Sequence, residues 1–263
     1  ATTLALKPGY AEAHNNLGGT LTELGRLDEA EASFMQAIAL KADYAEAHNN
    51  LGVTLQELGR LDEAEASYTQ ATALRPDFVI AHNSLLSCLY LLDKKSMFFD
   101  KLDYLINQGK TNAVIGSLTC RSELKYGLDK PNLFCREPLK YVVHIDLNTQ
   151  YNFEEFFISR VRSILNRKQI SSRKQSLLIN GYQTSGNLFD IKNDFTDKIQ
   201  KTIRDEIEKY RSNFKNSEEG FIKKWPSDYS LYGWLISMKS GGELQPHIHN
   251  QGWLSGSIYI NVP

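Results

Sequence analysis

The chain has 263 residues, of which 41% are hydrophobic and 23% are charged, a composition typical of an ordinary soluble protein of about two domains. Its apolar runs are shorter than the roughly 20 residues that span a bilayer, and no signal peptide precedes the repeated segments, so we expect no membrane partner. Residues 1–94 carry 6 Lys and Arg against 13 Asp and Glu, and the remainder carries 24 Lys and Arg against 18 Asp and Glu. The resulting net charges of −7 and +6 predict two domains with different partners. The basic residues are scattered, which disfavours a nucleic-acid partner.

Two consecutive N-terminal segments are nearly identical. AEAHNNLGGTLTELGRLDEAEASFMQAIALKAD begins at Ala11, and AEAHNNLGVTLQELGRLDEAEASYTQATALRPD begins at Ala45. A third copy, VIAHNSLLSCLYLL, begins at Val79 and then degenerates. This spacing matches the period of tetratricopeptide repeats, about 34 residues, whose helix pairs stack into a superhelix with a concave groove. We therefore predict an α solenoid over residues 1–94, with repeats at 11–44 and 45–78 and partial repeats at 1–10 and 79–94.

Each repeat has small and large apolar residues at helix spacing. In the first repeat, Gly18 lies on the apolar face of the first predicted helix, and Ala30 and Phe34 lie on that of the second. The small residues allow the two helices to approach closely, and the ring of Phe34 fills the space between them. Neither helix can bury its apolar face alone, so stacking of neighbouring repeats is required.

Three histidines, His14, His48 and His82, recur at the repeat period. A metal site would need these imidazoles to converge, whereas copies of one repeat position are separated by a full repeat each. We therefore interpret them as structural residues.

Paired asparagines also recur, as Asn15-Asn16 and Asn49-Asn50, followed by Asn83-Ser84. These repeats resemble those of the protein O-linked N-acetylglucosamine transferases, in which a ladder of asparagines grips peptide backbones. The resemblance implies that Asn16 and Asn50, with Asn15 and Asn49 beside them, bind a protein or peptide in the groove. An amide can pair with both an N–H and a C=O group, so it can bind an extended chain of any sequence. The alternative is that these are solvated or helix-pairing polar residues.

The repeat pattern fades after residue 94. SMFFDKLDYLINQG (96–109) predicts a terminal helix that covers the last apolar face, and GLDKPN (127–132) is a turn-rich boundary. We predict a capping helix and linker over 95–132 and a second domain over 133–263.

The second domain has the pattern of an α+β fold. Runs rich in β-branched and aromatic residues predict strands, and charged segments with apolar residues at every fourth position predict helices over 153–167 and 192–214. The predicted strands cover 140–147, 176–182, 231–238 and 253–262. His144 alternates with apolar neighbours in the first of them, and we interpret it as a half-buried structural residue.

A pair of histidines, His247 and His249, lies close to the end of the sequence. Residues two apart on an extended chain project from the same face, so both imidazoles could converge on one metal ion. Iron, zinc, copper and nickel are all compatible with imidazole ligands. Alone, the pair is also compatible with surface or hydrogen-bonded histidines.

The segments INGYQTSGNLFD (179–190), GFIKKWPSDYSLYGWLISMKSGG (220–242) and PHIHNQGWLSGSIYINVP (246–263) resemble a tetratricopeptide-linked branch of the Fe(II)- and 2-oxoglutarate-dependent oxygenases, distantly similar to prolyl 4-hydroxylases. The resemblance implies a double-stranded β-helix, or jelly roll, with flanking helices. It implies Fe(II), 2-oxoglutarate and dioxygen as cofactors and co-substrate, with His247 and His249 as metal ligands. His249 stands where related enzymes have a carboxylate, so a three-histidine or differently completed site is possible. Tyr232 and Tyr259 could line the cofactor pocket, or pack in the core.

The sequence ends directly after the strand that follows the histidine pair. The third iron ligand and the basic residue for 2-oxoglutarate would follow Pro263, and the first repeat begins incomplete, so we expect an inactive fragment truncated at both ends. Three cysteines without metal-ligand spacing suggest a cytoplasmic protein.

The leading hypothesis is therefore a hydroxylase whose repeat array presents a protein or peptide substrate to the second domain. The alternative is a non-catalytic scaffold that binds a protein partner through its repeats. A glycosyltransferase is a third idea prompted by the repeats alone, because nothing after residue 130 resembles a nucleotide-sugar domain.

Overall fold

The chain divides into two compact units, Ala1–Leu133 and Phe134–Pro263, which are described separately. A computed structural model describes residues 10–151, 157–158, 160–161, 172–173, 178–184, 186–245 and 252–259. No helix among these residues is both long enough and apolar enough to cross a membrane.

The first unit is a helical solenoid. Seven helices follow one another in the part of this unit that is described: α1 (Ala11–Glu23), α2 (Leu27–Leu40), α3 (Ala45–Glu57), α4 (Leu61–Leu74), α5 (Val79–Leu91), α6 (Lys95–Asn107) and α7 (Ala113–Tyr126). Successive helices from α1 to α6 pack against each other, most closely within the pairs α1–α2 and α3–α4, and α7 packs against α5. The predicted α solenoid is confirmed.

The helix period persists beyond the sequence repeat. Helices α1, α3, α5 and α7 begin at equivalent positions, each one repeat period after the last, and so do α2, α4 and α6. The third repeat is therefore a complete helix pair, where the sequence predicts a partial repeat at 79–94. Helix α7 occupies the first-helix position of a fourth repeat, where the sequence predicts part of a linker. Both predictions are corrected by the structure.

Close contact between a glycine and an aromatic ring sets the spacing of each helix pair. A Cβ atom added at Gly18 would lie 2.7 Å from the Phe34 ring, and one added at Gly52 would lie 2.6 Å from the Tyr68 ring. Phe34 and Tyr68 are each only 1% exposed. The predicted roles of Gly18 and Phe34 are therefore confirmed.

In the third repeat the same space is filled by different residues. Leu86 and Leu102 stand one repeat period after Gly52 and Tyr68, and both are fully buried in one apolar cluster. Phe98 replaces Ala64 at the next equivalent position and is also fully buried. A larger residue on the first helix thus compensates for a smaller one on the second. This exchange preserves the packing but removes the sequence signature, so the third repeat is hidden in the sequence.

The second unit is built around helix α8 (Asp194–Asn213), as the sequence predicts. The side chain of Asn193 accepts hydrogen bonds from the backbone N–H groups of Phe195 and Thr196, and the Thr196 hydroxyl accepts one from the Asn193 N–H, which completes a capping box at the helix start. Phe195 and Ile199 point into an apolar cluster with residues from two other segments, namely Phe157, Val161, Leu188 and Phe189. Phe157 and Val161 are among the few described residues of the helix predicted over 153–167.

A second aromatic cluster lies at the other end of α8. Tyr210 and Phe214 pack against Tyr141, and Phe221 of the short helix α9 (Gly220–Lys223) stacks edge-on to Tyr141 at 4.8 Å between ring centroids. The indole N–H of Trp253 donates to the Phe221 carbonyl at 3.1 Å. These contacts fix segments that are far apart in the sequence.

A small antiparallel sheet contains the described strands, in the order β1 (Ser172–Arg173), β2 (Leu178–Thr184) and β3 (Ile236–Leu244). Register between β2 and β3 shifts at Asn180, whose φ of 51° is left-handed and whose side-chain amide donates to the Gly241 carbonyl. The irregularity lets residues 239–242 lie opposite Asn180. Three strands do not make a jelly roll, so that finer prediction is not established by the described residues.

The four predicted strands have different outcomes. Strand 176–182 is confirmed from Leu178 onward, but the strand predicted over 231–238 begins only at Ile236. The strand predicted over 140–147 is wrong, because that segment begins and ends in 3-10 turns, Pro138–Tyr141 and Leu147–Thr149. Residues 252–259 are likewise not in a strand. Both segments have the alternating pattern of a strand, but a strand also needs a hydrogen-bonded neighbour, and the described residues supply none.

We expect the second repeat to accept the same exchange of side-chain volume between its two helices. Gly52→Leu should lower the free energy of unfolding by about 2 kcal/mol, because the new side chain collides with the Tyr68 ring. The double variant Gly52→Leu with Tyr68→Leu should recover most of this loss, because it reproduces the Leu86 and Leu102 pair. Urea denaturation of the single and double variants measures the coupling.

Gly19→Ala is the matched control, because a Cβ atom at Gly19 would meet nothing within 4 Å. It should raise the free energy of unfolding by about 0.5–1 kcal/mol, the usual gain for replacing a helical glycine. Strictly additive losses in the double variant would contradict the proposed compensation.

Candidate functional site

The asparagines predicted to bind a partner form hydrogen bonds between successive repeats. Asn50 Nδ2 on α3 donates to Asn15 Oδ1 on α1 at 3.0 Å. Asn49 Nδ2 donates to Asn50 Oδ1 at 3.5 Å, which is a long contact. These bonds hold the amide planes of Asn15 and Asn50 in fixed orientations.

The row of amides is interrupted in the third repeat. Ser84 occupies the position of Asn50, so a shorter hydroxyl side chain replaces the amide there. Asn49 Oδ1, at the position equivalent to Asn15 Oδ1, is buried and has no hydrogen-bond partner in the described part of the chain. Asn83 accepts from Asn112, the N-cap residue of α7, at 3.1 Å. The interruption separates the row into two groups.

Burial further divides the four predicted residues. Asn49 is buried with 4% exposure, Asn15 and Asn50 are half-buried, and Asn16 is exposed. A primary amide has two N–H donors and an oxygen with two lone pairs, so Asn15 and Asn50 retain unused donors. Within the described ranges, the side chain of Asn16 makes no hydrogen bond. Helix pairing is therefore one observed role of Asn15 and Asn50, and it leaves amide groups that can bind a ligand.

The periodic histidines bind the loops between repeats. His48 Nε2 lies 3.1 Å from the Ala42 carbonyl, and His82 Nε2 lies 2.8 Å from the Pro76 carbonyl. In both cases the acceptor is six residues earlier in the chain. The structural interpretation is confirmed for these two residues, while the residue six before His14 lies outside the described part.

The surroundings of His82 disfavour its charged form. Burial lowers the pKa of His82 below its ordinary value, and the nearby charges of Lys101 and Lys110 lower it further, against the opposing hydrogen bond to Pro76. Its other ring nitrogen, Nδ1, is buried without a hydrogen-bond partner among the described residues. A proton on Nδ1 would therefore have no acceptor there.

In the second unit, the proposed iron ligands His247 and His249 lie outside the described residues. The described residues contain no group of three His, Cys, Asp or Glu side chains placed to hold a metal ion. Tyr232 and Tyr259, predicted to line a cofactor pocket, are 69% and 72% exposed. These predictions are not tested further by the structure.

A polar segment that follows β2 has a structural role. Asn187 Oδ1 accepts from the Gly233 N–H at 3.0 Å, and Asn187 Nδ2 donates to the Leu231 carbonyl at 3.2 Å. The Thr184 hydroxyl accepts from the Leu235 N–H at 3.0 Å. These bonds attach residues 231–235 to the end of β2 where regular strand pairing stops.

A cleft of about 270 Å³ in the second unit is lined by His144, Asp146, Glu206 and Lys209. His144 is exposed, so its predicted half-buried position in a strand is wrong. Glu206 Oε1 accepts from Lys209 Nζ and the Tyr151 hydroxyl, each at 2.6 Å. Partial burial raises the pKa of Glu206, but these hydrogen bonds outweigh it and hold the pKa below its ordinary value. No sequence signal predicts this cleft, because its residues come from separated segments.

Comparison with known proteins identifies part of the first unit. The family model for the tetratricopeptide repeat matches residues 9–77. No curated protein sequence matches the chain. Residues 9–77 are therefore tetratricopeptide repeats.

Three solved structures are similar to parts of the chain. Pseudomonas aeruginosa pilF is 21% identical over 47% of this chain and 57% of its own, with a TM-score of 0.42. An O-GlcNAc transferase from Thermobaculum terrenum is 34% identical over 33% of this chain and 16% of its own, with a TM-score of 0.32. The TPR2B domain of yeast Sti1, solved in complex with pHsp70, is 19% identical over 44% of this chain and 97% of its own, with a TM-score of 0.40. The chain thus spans 57% and 16% of the first two.

The lowered pKa of His82 predicts that the stability of the repeat unit depends on pH. A group whose pKa is lower in the folded state binds fewer protons there, so stability is retained above the unfolded value of about 6.5 and is lost as the pH falls through the folded pKa. The wild-type melting temperature should therefore fall between about pH 7 and about pH 5. In His82→Asn this fall should be smaller, since the asparagine does not titrate. Equal pH dependence in both proteins, measured by circular dichroism, would contradict the assignment.

Proposed function

We propose that the chain binds an extended segment of a protein partner through the asparagine amides of its repeat array. The observation that carries the proposal is the row formed by Asn15, Asn16 and Asn50, in which Asn15 and Asn50 hold each other and the amides retain hydrogen-bonding groups that no other described residue uses. The tetratricopeptide match over residues 9–77 supports a binding scaffold of this kind. A scaffold of this kind binds its protein partner without catalysis.

The physical basis is pre-organisation. Asn50 and Asn15 hold each other, so their side chains lose little conformational freedom when a ligand arrives. Asn16 adds an exposed amide one residue further along α1. Amides of this kind pair with the N–H and C=O groups that every peptide has, so affinity depends on the backbone and only weakly on the ligand sequence.

This mechanism predicts uniform losses of affinity. Asn16→Ala should weaken binding of the whole chain to each peptide on an array by about fivefold, because it removes a hydrogen bond of about 1 kcal/mol. Asn107→Ala, which removes an exposed asparagine at the end of α6, is the matched control and should bind as the wild type does. Peptide arrays followed by fluorescence anisotropy give the relative Kd values.

The result distinguishes backbone from side-chain recognition. Losses of similar size across unrelated peptide sequences support the proposal. Losses confined to one sequence would show that the amide reads a side chain, and no loss for any peptide would overturn the assigned site.

We also propose, as a second function, that the second unit belongs to an Fe(II)- and 2-oxoglutarate-dependent oxygenase with a jelly-roll fold. The motif from Pro246 to Pro263 supports it, and Trp253 within that motif is anchored to the aromatic cluster around Phe221. His247 and His249 would hold the iron, since neutral imidazoles are suitable Fe(II) ligands. Bound iron would supply dioxygen activation with 2-oxoglutarate as co-substrate. The repeat array would then present the polypeptide substrate for hydroxylation.

The two histidines provide the test of this second function. Fe(II) binding to the chain, measured anaerobically by calorimetry, should be lost in His247→Ala and retained in His144→Ala, which removes an exposed histidine elsewhere in the same unit. In a longer chain that also supplies the third iron ligand, succinate release with 2-oxoglutarate and an array-bound peptide is the activity readout. Equal Fe(II) binding by the two variants would overturn the ligand assignment, whatever the outcome of the peptide arrays.

A further inference from the structure

An open groove of about 430 Å³ runs between helices α2, α3 and α4. Its walls include Met35 and Ile38 from α2, His48 and Leu51 from α3, and Ser67 and Gln70 from α4. Met35 is 56% exposed, and His48 and Leu51 are only half-buried. The groove thus leaves apolar surface in contact with solvent.

One repeat later, the chain fills the equivalent position with its own side chains. His82 and Leu85 are the equivalents of His48 and Leu51 in the third repeat, and they are only 5% and 6% exposed. Tyr104, the equivalent of Gln70, places its ring 5.9 Å from the imidazole of His82. Lys101, the equivalent of Ser67, lies with its ammonium 5.3 Å from the Tyr104 ring. An aromatic ring beside a cation therefore covers the histidine in this repeat.

The histidine in the wall of the open groove is oriented like its equivalent in the third repeat. The rings of His48 and His82 are oriented by the same bond, from Nε2 to a loop carbonyl six residues earlier. What differs is the covering residue, because Gln70 and Ser67 replace Tyr104 and Lys101. The groove at His48 therefore has the oriented imidazole against which an aromatic ring packs in the third repeat, but Gln70 supplies no such ring.

The charged residues around the groove indicate which groups would flank a bound aromatic ring. The basic residues at 26, 41, 60, 75 and 94 all form ion pairs with acids of the array itself. Glu31 and Glu63, one turn before Met35 and Ser67 on their helices, share the single guanidinium of Arg60. The rim is therefore net negative, and it complements a basic ligand.

We infer that the groove at His48 binds a tyrosine or phenylalanine side chain of a partner polypeptide, flanked by lysine or arginine. The ring occupies the place that Tyr104 takes against His82, and the flanking cation takes the place of Lys101. The inference rests on the proposed function, in that the array binds a protein, but it uses another surface. Asn50 lies two positions after His48 on α3, roughly 200° around the helix, so the amide row and the groove are on opposite faces.

The test uses the tripeptide acetyl-Lys-Tyr-Lys-amide as the probe and the ¹⁵N-labelled whole chain. Titration should shift the backbone amide signals of residues that line the groove, such as Met35, Leu51 and Ser67. Gln70→Tyr should weaken this binding at least about tenfold, because the new ring occupies the groove. Gln36→Tyr makes the same substitution one repeat earlier, on an exposed position, and should bind as the wild type does.

A reciprocal variant keeps the test independent of how Gln70→Tyr folds. Tyr104→Gln removes the covering ring in the next repeat, so the probe should then also shift the signals of Thr69, Leu85 and Lys101. Thermal melts establish that each variant is folded at the titration temperature. Binding at two sites in this variant would support the equivalence of the grooves, and no new shifts would overturn it.

The remaining outcomes are equally decisive. Equal shifts with acetyl-Lys-Ala-Lys-amide would overturn the aromatic site, because they would reflect charge alone. Concentration-dependent shifts at the groove without a probe would identify a second copy of the chain as the occupant and would also overturn the inference. The groove is read from the signals of Met35, Leu51 and Ser67, and the amide row from the losses in Asn16→Ala on the peptide arrays, so failure of the amide row and failure of the groove give different results.

Discussion

The close contact between a small residue on one helix and a ring on the next is the constraint on which the repeat unit depends. Gly18 against Phe34 and Gly52 against Tyr68 leave no room for a Cβ atom, so the two helices of each pair have one separation. Close-packed interiors transmit such a constraint to whatever lies on the surface above them. The loop histidines and the row of amides recur at fixed places for this reason.

Other residues can meet the same constraint, so the arrangement of the helices does not determine which residues lie on their surface. Leu86, Leu102 and Phe98 fill the third repeat as completely as the glycine and the ring fill the second. Conserving the volume of the core leaves the outward-facing positions able to change. Gln70 and Tyr104 illustrate the consequence, because equivalent positions on the same scaffold leave one groove open and the next one covered.

The second unit depends on contacts between segments that are distant in sequence. Its aromatic cluster joins residues near 134, 141, 214, 221 and 253, and side-chain hydrogen bonds from Asn187 hold residues 231–233 where strand pairing has ended. Strand prediction fails at 140–147 for this reason. The alternating pattern there describes a chain that could pair, whereas Tyr141 is instead held by Phe214 and Phe221. Helix α8 is predicted correctly because its cap and its apolar stripe are both local signals.

The sequence by itself determined the repeat period, the first two helix pairs, the packing role of Gly18 and Phe34, and the structural nature of His48 and His82. These follow from short-range spacing, which helix geometry converts directly into faces. Only the tertiary structure decided that the third repeat is complete, that Asn50 binds Asn15, and that the groove at His48 is open while its equivalent is covered. Each of these depends on which side chains meet across different helices, and one-dimensional spacing does not specify how volumes and hydrogen bonds are shared between them.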